Sequence, residues 1–177
     1  YDFGTKRIDL MRQMAQAMNA AVAEAWSGRA ADLPLQSPAE LLTLASIVEK
    51  ETPIKAEMPR VAAVYLNRLR VGMRLQADPT LVYYEHTFDG QKFGEVDLTR
   101  ADLQQRHPYN TYVHYGLPPG PIGLPSRAAL QAVAQPLTTD ELFFVADGQG
   151  GHVFSRTYAE HKRHVQRYLQ QRREAAR

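Results

Sequence analysis

The sequence contains no cysteine among its 177 residues. This absence excludes disulfide bonds, thiol nucleophiles and thiolate metal sites, and it is compatible with either the cytoplasm or the periplasm. The chain also lacks any hydrophobic run close to the roughly 18 residues that a membrane-spanning helix needs. The missing span describes this chain alone and says nothing about a longer parent protein.

The net charge is also small, since 21 lysines and arginines stand against 19 aspartates and glutamates. So balanced a charge gives no indication of nucleic-acid binding. Neither a Walker-type phosphate loop nor a Gly-x-Ser-x-Gly nucleophile motif is present. The apolar fraction of 44% is that of a globular protein. A partner must therefore be recognised by particular sites and not by net charge.

The chain begins with YDFGTKRIDLMRQ, which resembles neither a signal peptide nor a natural N-terminus. We therefore expect it to be an excised part of a longer protein. Its length suits one domain with an added helical arm. We predict that residues 1–35 form an N-terminal helix and loop, which pack on or lead to a main domain over residues 36–177.

The strongest local pattern is the segment SPAELLTLASIVEKET at residues 37–52. Ser37 is suited to cap a helix, Pro38 fits its first position, and Glu40 lies where a capping box needs an acid. Apolar residues then recur at helical spacing on a face wide enough to require burial on more than one side. Because Pro53 disfavours helical geometry before it, the helix is predicted to end near Thr52.

Two glutamates, Glu49 and Glu51, lie in the last turn of this predicted helix. A carboxyl group there faces backbone carbonyls and apolar neighbours, which both favour its protonated form. Cleavage of a glycosidic bond requires such an acid. At about 100° per residue the two glutamates flank the apolar stripe on opposite sides, so helical geometry does not choose between them. The simpler interpretation is a pair of solvated charges with Lys50 between them.

The remaining chain predicts an α+β fold that is mainly helical with a small antiparallel sheet. Further helices are expected at residues 58–72, after Asp78, at 99–105, at 126–135 and from Thr157 onward. Residues 85–96 contain Asp89-Gly90 and Phe93-Gly94 and are expected to form an exposed excursion. Two apolar runs, Leu142–Ala146 and His152–Ser155, are predicted to pair as a β-hairpin.

Polar residues without an evident structural role gather in two further segments. Gln76 lies just before Asp78, which can also act as a helix cap. The segment from His107 to Ser126 is interrupted by prolines and glycines, which excludes regular structure. It carries side chains of the kind that stack on and hydrogen-bond sugars: Tyr109, Asn110, Thr111, Tyr112 and Tyr115.

Other polar residues are interpreted structurally. The arginines at 68 and 70 are taken as surface charges, and only Asn67 looks out of place on their helix. His152, His161 and His164 could suggest a metal site, but no carboxylate-rich partner completes the set. We expect neither a metal nor a cofactor.

Several motifs follow one another along the chain: ASIVEKET, NRLRVGMRLQADPT, YNTY, GLPPGPIG and FVADGQGGHVFSRTYAEH. Together they resemble the catalytic domain of the YceG-like (MltG) family of endolytic murein transglycosylases, over about residues 36–168. The resemblance implies that Glu51, in the Glu-Thr of IVEKET, is the catalytic residue. It also implies a glycan cleft lined by Gln76, Asp78, Asn110, Thr111 and Tyr112.

The resemblance implies cleavage of the β-1,4 bond between N-acetylmuramic acid and N-acetylglucosamine in peptidoglycan strands. Glu51 would first act as acid and then as base, leaving a 1,6-anhydro end. Gln76 and Asn110 would hydrogen-bond the sugars, while Tyr109 and Tyr112 would stack on them. Two alternatives stay open: a hydrolytic muramidase that uses Asp78 or Glu49 to activate water, and a non-catalytic peptidoglycan-binding module.

The resemblance also implies where such a domain works. Its partners would be peptidoglycan strands and cell-wall synthases, with no nucleic acid involved. It would lie at the periplasmic face of the bacterial inner membrane, attached only through an anchor that this chain does not contain.

Overall fold

The computed structural model describes residues 6–88 and 98–175 of the chain. Its helices are α1 (Arg7–Ser27), α2 (Pro38–Glu51), α3 (Met58–Arg70), α4 (Asp78–Phe88), α5 (Arg127–Ala134) and α6 (Tyr158–Ala175). Two strands, β1 (Phe143–Ala146) and β2 (His152–Ser155), lie between α5 and α6. The α+β fold class is therefore confirmed. Within the described ranges, every helix is too short or too polar to cross a membrane.

Helix α2 lies at the centre of the core, and it begins and ends where its sequence predicts. Ser37 Oγ accepts a hydrogen bond from Glu40 N at 3.3 Å, and Gln36 N donates to Glu40 Oε2 at 2.6 Å. The apolar face of α2 is fully buried against α3 and α5. Its last residue is Glu51, and Thr52 already has extended backbone angles. The end of α2 that carries Glu51 is thus anchored in the buried core.

Helix α1 packs on α2 and α5. The buried residues of α1 are Ala21, Val22 and Ala25. Ile8, Met11 and Met14 of the first half are more than half exposed. The loop after α1 is tied to the end of α5, where Ala30 N donates to Ala134 O at 2.9 Å. The division between residues 35 and 36 stays a prediction.

The predicted β-hairpin is confirmed. β1 and β2 are antiparallel, with Phe143 opposite Ser155 and Ala146 opposite His152. Its turn is closed by Asp147 Oδ1, which accepts hydrogen bonds from Gln149 N at 2.6 Å and Gly151 N at 3.0 Å. The hairpin packs between α6 on one side and α3 on the other.

The expectation of an exposed excursion from residue 85 is wrong at its start. Helix α4 continues through Phe88 because no glycine or proline interrupts the segment after Pro79. The turn signals begin only at Asp89-Gly90. The rest of the predicted excursion, including Phe93-Gly94, lies outside the described residues.

Candidate active site

A cavity of about 270 Å³ lies beside the C-terminal end of α2, and Glu51 forms part of its wall. The other lining residues come from α2, the first turns of α4 and the proline-rich loop: Lys50, Asp78, Pro79, Val82, Tyr83 and Ile122. The structure therefore brings two predicted site residues, Glu51 and Asp78, to the same cavity. α2 supplies the first because it ends there, and α4 supplies the second because it begins there.

The Glu51 carboxyl group is largely shielded from water. Its Oε2 atom is buried and has no hydrogen-bond partner among the described residues. Burial and the negative charge of Asp78 raise the pKa of Glu51 from 4.5 to about 7, although the Tyr65 hydroxyl and the Arg68 guanidinium act in the opposite direction. A carboxyl group with this pKa can give up and take back a proton near neutral pH.

Glu49 lies on another side of α2 and has a different environment. Its Oε2 atom accepts hydrogen bonds from Ser126 N at 2.9 Å and from Ser126 Oγ at 2.6 Å. These bonds place its negative charge at the N-terminus of α5, where the helix dipole favours an anion. The structure therefore gives the two glutamates different surroundings. Glu49 ties α2 to α5, whereas Glu51 faces the cavity.

The interpretation of Arg68 as a surface charge is wrong. Only 7% of Arg68 is exposed, and its Nε donates to Leu142 O at 2.7 Å while Nη1 donates to Leu75 O. Arg68 follows Val64 and Tyr65 by four and three residues, so it shares their buried face of α3. That spacing is the sequence signal that could have identified it. A buried guanidinium stays protonated and supplies a fixed positive charge behind Glu51.

Asp78 and Tyr112 form a pair at the rim of the cavity. The Tyr112 hydroxyl donates a short hydrogen bond to Asp78 Oδ1. Burial and this contact raise the pKa of Tyr112, so the phenol stays protonated and remains a donor. Tyr112 is half-buried, whereas Asp78 is exposed. Both residues interact electrostatically with Glu51, because Asp78 raises the pKa of Glu51 and Glu51 raises the pKa of Tyr112, while their contact with a glycan stays a prediction.

Gln76 is exposed just before α4 and has an unusual backbone conformation. Its φ of 50° is the only positive value among the described residues other than glycine. The conformation is held because Gln76 N donates to Thr111 O at 3.1 Å. Such strained residues occur preferentially at functional sites. Gln76 does not line the cavity, and its predicted contact with a glycan stays a prediction.

Asn110 does not contact the cavity and is fully buried within the loop. Its Nδ2 donates to Gln105 O at 2.7 Å, and its Oδ1 accepts from Tyr112 N at 2.8 Å. The side chain therefore has no surface left for a sugar. In place of the predicted contact with a glycan, Asn110 holds the backbone that carries Tyr112.

Thr111 is also internal, with 2% of its surface exposed. Its Oγ1 accepts a hydrogen bond from Ala77 N at 2.9 Å and lies 3.0 Å from Thr80 Oγ1. These contacts bind the tyrosine-rich loop to the segment that leads into α4. Thr111 thus positions Gln76 and Asp78 and is itself shielded from the cleft.

Two tyrosines pack together next to the cavity. The rings of Tyr83 and Tyr109 are 5.0 Å apart at an angle of 52°. Tyr83 lines the cavity, and Tyr109 lies beside it. Sequence reasoning named Tyr109 and missed Tyr83. The available signal was helical spacing, because Tyr83 lies four residues after Pro79, which is also a lining residue.

The proline-rich loop reaches the cavity because α2 anchors it. Ile122 N donates to Ser46 Oγ at 2.9 Å, and Ser46 Oγ donates in turn to Thr43 O at 2.7 Å. Both α2 residues are buried. The loop that closes one side of the cavity is thereby fixed to the helix that ends in Glu51.

The three histidines considered as a metal set make separate contacts. His152 Nδ1 lies 2.8 Å from Glu57 Oε2, and His164 Nδ1 lies 3.1 Å from Ser155 Oγ. The His161 ring stacks on Phe143 with centroids 5.2 Å apart. Within residues 6–88 and 98–175, no group of three or more potential ligands could hold a metal ion.

The fold and the cavity together define a mainly helical domain with a protonatable glutamate at a helix end. The model of the YceG-like family matches residues 1–167 of this chain. The chain belongs to the YceG-like family, which confirms the resemblance found in its motifs. A 2.6 Å crystal structure of a yceG-like protein from Listeria monocytogenes has a TM-score of 0.75 at 32% identity, covering 92% of this chain and 52% of that one.

Two curated relatives are similar over most of this chain. The endolytic murein transglycosylase of Bacillus subtilis (strain 168) is 36% identical over 135 residues, which are 76% of this chain and 36% of that protein. The endolytic murein transglycosylase of Streptococcus pneumoniae is 34% identical over 131 residues, which are 73% of this chain and 24% of that protein. The chain thus spans only a part of the length of each relative.

Proposed function

We propose that this domain is a lytic transglycosylase that cleaves the β-1,4 bond between N-acetylmuramic acid and N-acetylglucosamine within peptidoglycan strands. The observation that carries the proposal is the Glu51 carboxyl group, which lines a cavity and has a pKa raised to about 7. The names of the relatives support the substrate class. The reaction belongs to cell-wall assembly.

In the first half of the reaction, Glu51 donates its proton to the glycosidic oxygen. The bond from that oxygen to C1 of the muramic acid breaks, and the N-acetylglucosamine side leaves with a new hydroxyl group. The electron-poor C1 is then stabilised by nearby negative charge, for which Asp78 is suitably placed in the cavity wall. Arg68 stabilises the Glu51 carboxylate that this step produces.

In the second half, the Glu51 carboxylate removes the proton of the muramic acid C6 hydroxyl while that oxygen bonds to C1. The product carries a 1,6-anhydro ring, and Glu51 regains its proton. Because the nucleophile belongs to the substrate, one carboxyl group serves where ordinary glycosidases use two. No water, metal or cofactor takes part in this scheme.

A hydrolytic muramidase is the second candidate, favoured by the presence of Asp78 in the same cavity as Glu51. Asp78 could act as the base that activates a water molecule. Glu49 is a poorer choice for that base, because Ser126 already occupies its carboxylate. The two candidates differ in whether water enters the product.

Digestion of purified peptidoglycan in ¹⁸O-labelled water distinguishes these reactions. We expect soluble muropeptides that are lighter by one water than hydrolytic products and that carry no label at C1. Labelled reducing ends would instead establish the muramidase. Sedimentation of the protein with peptidoglycan and no release of muropeptides would indicate a non-catalytic binding module.

Tyr83 is expected to bind a sugar ring next to the scissile bond. We predict that Tyr83→Ala raises KM about tenfold, because it removes one apolar ring face from the cavity, while kcat changes less. The steady-state rate of muropeptide release at varied substrate concentration measures both constants. Tyr115→Ala is the matched control, since Tyr115 is 67% exposed and does not line this cavity. Equal effects of the two variants on KM would mean that Tyr83 does not bind the substrate.

Peptidoglycan strands are the proposed partner, and cell-wall synthases are proposed as neighbours at the periplasmic face of the inner membrane. The support for both is the substrate class that the relatives' names give. Cross-linking in intact cells followed by mass spectrometry tests the second proposal. Recovery of cytoplasmic proteins alone would contradict it.

A further inference from the structure

The turn between α2 and α3 is held from inside by side chains. Thr52, which directly follows Glu51, is 1% exposed. Its Oγ1 accepts a hydrogen bond from Ile54 N at 3.1 Å and donates to Glu57 Oε2 at 3.4 Å. The backbone next to Glu51 is therefore linked to the Glu57 carboxylate through the Thr52 hydroxyl group.

Glu57 is in turn held by the far end of the β-hairpin. His152 N donates to Glu57 Oε1 at 3.0 Å, and His152 Nδ1 lies 2.8 Å from Glu57 Oε2. The two side chains are only 14% and 21% exposed, with the histidine the more buried. Although burial raises the pKa of Glu57, the hydrogen bonds and charge of His152 outweigh it and leave the pKa lowered. The carboxylate is thus fixed in its ionised form by one residue of β2.

The Glu57 carboxylate also lies close to the backbone of the hairpin turn. A Cβ atom at Gly151 would lie 2.9 Å from Glu57 Oε1 and 3.0 Å from Asp147 Oδ2. Contacts that short essentially never occur for a real Cβ atom. The absence of a side chain at Gly151 therefore allows the turn to close on Glu57.

We propose that Glu57 and His152 are positioning residues, which hold the turn after α2 so that the Glu51 carboxyl group stays in its shielded orientation in the cavity. The inference rests on the proposed function, because it gives this pair a role in the same reaction. Neither residue lines the cavity, so the pair acts through Thr52 and not on the sugar. The hairpin thereby becomes part of the catalytic apparatus, although it lies away from the glutamate.

The test compares three variants of the full chain. His152→Leu removes the side-chain donor to Glu57 and leaves the backbone donor at residue 152 in place, whereas His152→Asn keeps an N–H group near the position of Nδ1. Glu57→Gln removes the charge with little change of shape. We expect His152→Leu and Glu57→Gln to lower kcat about tenfold with KM little changed, since misplacement of a catalytic group affects turnover first. His152→Asn should recover most of the rate.

A second measurement does not depend on activity. Titration of the glutamate carboxyl carbons by NMR should show the pKa of Glu51 falling toward its ordinary value in His152→Leu and Glu57→Gln. Asp78, Tyr65 and Arg68, which also act on this pKa, are unchanged in these variants. A variant that merely loses stability would keep the wild-type titration while it remains folded.

Glu141→Gln is the matched control for Glu57→Gln. It removes a carboxylate that is paired with Arg60 of α3, and the hydrogen bonds of that carboxylate within the described part of the chain do not reach the turn after α2. This variant should lose stability and keep both kcat and the Glu51 titration. Unchanged kcat and unchanged Glu51 titration in His152→Leu would overturn the inference. A wild-type protein that releases no muropeptides would contradict the proposed function instead, and the titration would still decide whether the pair positions Glu51.

Discussion

Replacement of Glu51 by glutamine is expected to lower the rate of glycan cleavage by about a thousandfold or more. The amide keeps the size of the side chain but cannot donate a proton to the glycosidic oxygen or accept one from the C6 hydroxyl. Both halves of the proposed reaction are lost together. Binding should persist, because the cavity and its tyrosines are unchanged. Muropeptide release and sedimentation with purified peptidoglycan measure the two properties separately.

Glu49→Gln is the matched control for this experiment, since it makes the same chemical change two residues away on the same helix. We expect it to cleave at close to the wild-type rate. Its cost should appear in stability, at about 1–2 kcal/mol, because the acceptor for Ser126 N and Oγ becomes a neutral amide. An inactive Glu49→Gln variant beside an active Glu51→Gln variant would show that the proton is supplied by the other glutamate.

The reaction needs a group that is acid and base in turn, and the surroundings of Glu51 suit both states. Burial and Asp78 favour the protonated form, whereas Tyr65 and Arg68 favour the carboxylate. The resulting pKa of about 7 is a balance between these effects. Burial alone would hold the proton too firmly for the second step, and a solvated carboxyl group would have lost it before the first.

The local parts of this fold could be predicted because their signals lie within a few residues. Ser37 caps α2 and Pro53 ends it, and both effects depend only on neighbours in the chain. The hairpin was predictable for the same reason, since two short apolar runs flank a glycine-rich turn. By contrast, the choice between Glu49 and Glu51 depends on where α5 lies, which the helical pattern of α2 does not contain.

The roles of Arg68 and Asn110 were missed because burial of a polar residue is decided by distant partners. Arg68 can be internal only because Leu142 and Leu75, from separate segments, offer backbone carbonyls to it. Asn110 is of a residue type that can hydrogen-bond sugars, yet its amide group is already hydrogen-bonded to the backbone of its own loop. Sequence patterns identify such residues as unusual but do not say what satisfies them.

The raised pKa of Glu51 also predicts a cost in stability that depends on pH. The carboxyl group has a pKa of about 7 in the fold and 4.5 as its ordinary value, so the folded protein binds this proton more tightly than the unfolded chain does. The resulting stabilisation is complete below pH 4.5 and is lost as pH rises to about 7. Glutamine does not titrate. We therefore expect the free energy of unfolding of the wild type, relative to Glu51→Gln, to fall by on the order of 3 kcal/mol across this range.

Urea unfolding of both proteins at a series of pH values measures this difference. Other groups, such as Glu57 and Glu141 with their lowered pKa values, make both proteins less stable in acid, and their effect cancels when the two are compared at one pH. Asp78→Asn provides a check on the cause. Removal of that negative charge should lower the pKa of Glu51, so the pH-dependent stability difference between proteins with Glu51 and with Gln at position 51 should be smaller when both carry Asp78→Asn. A difference between wild type and Glu51→Gln that stays constant from pH 4.5 to 7 would mean that the Glu51 carboxyl keeps its ordinary pKa of 4.5 in the fold, as a group exposed to water does. A group in that state could not be the proton donor, and the proposed reaction would lose its acid.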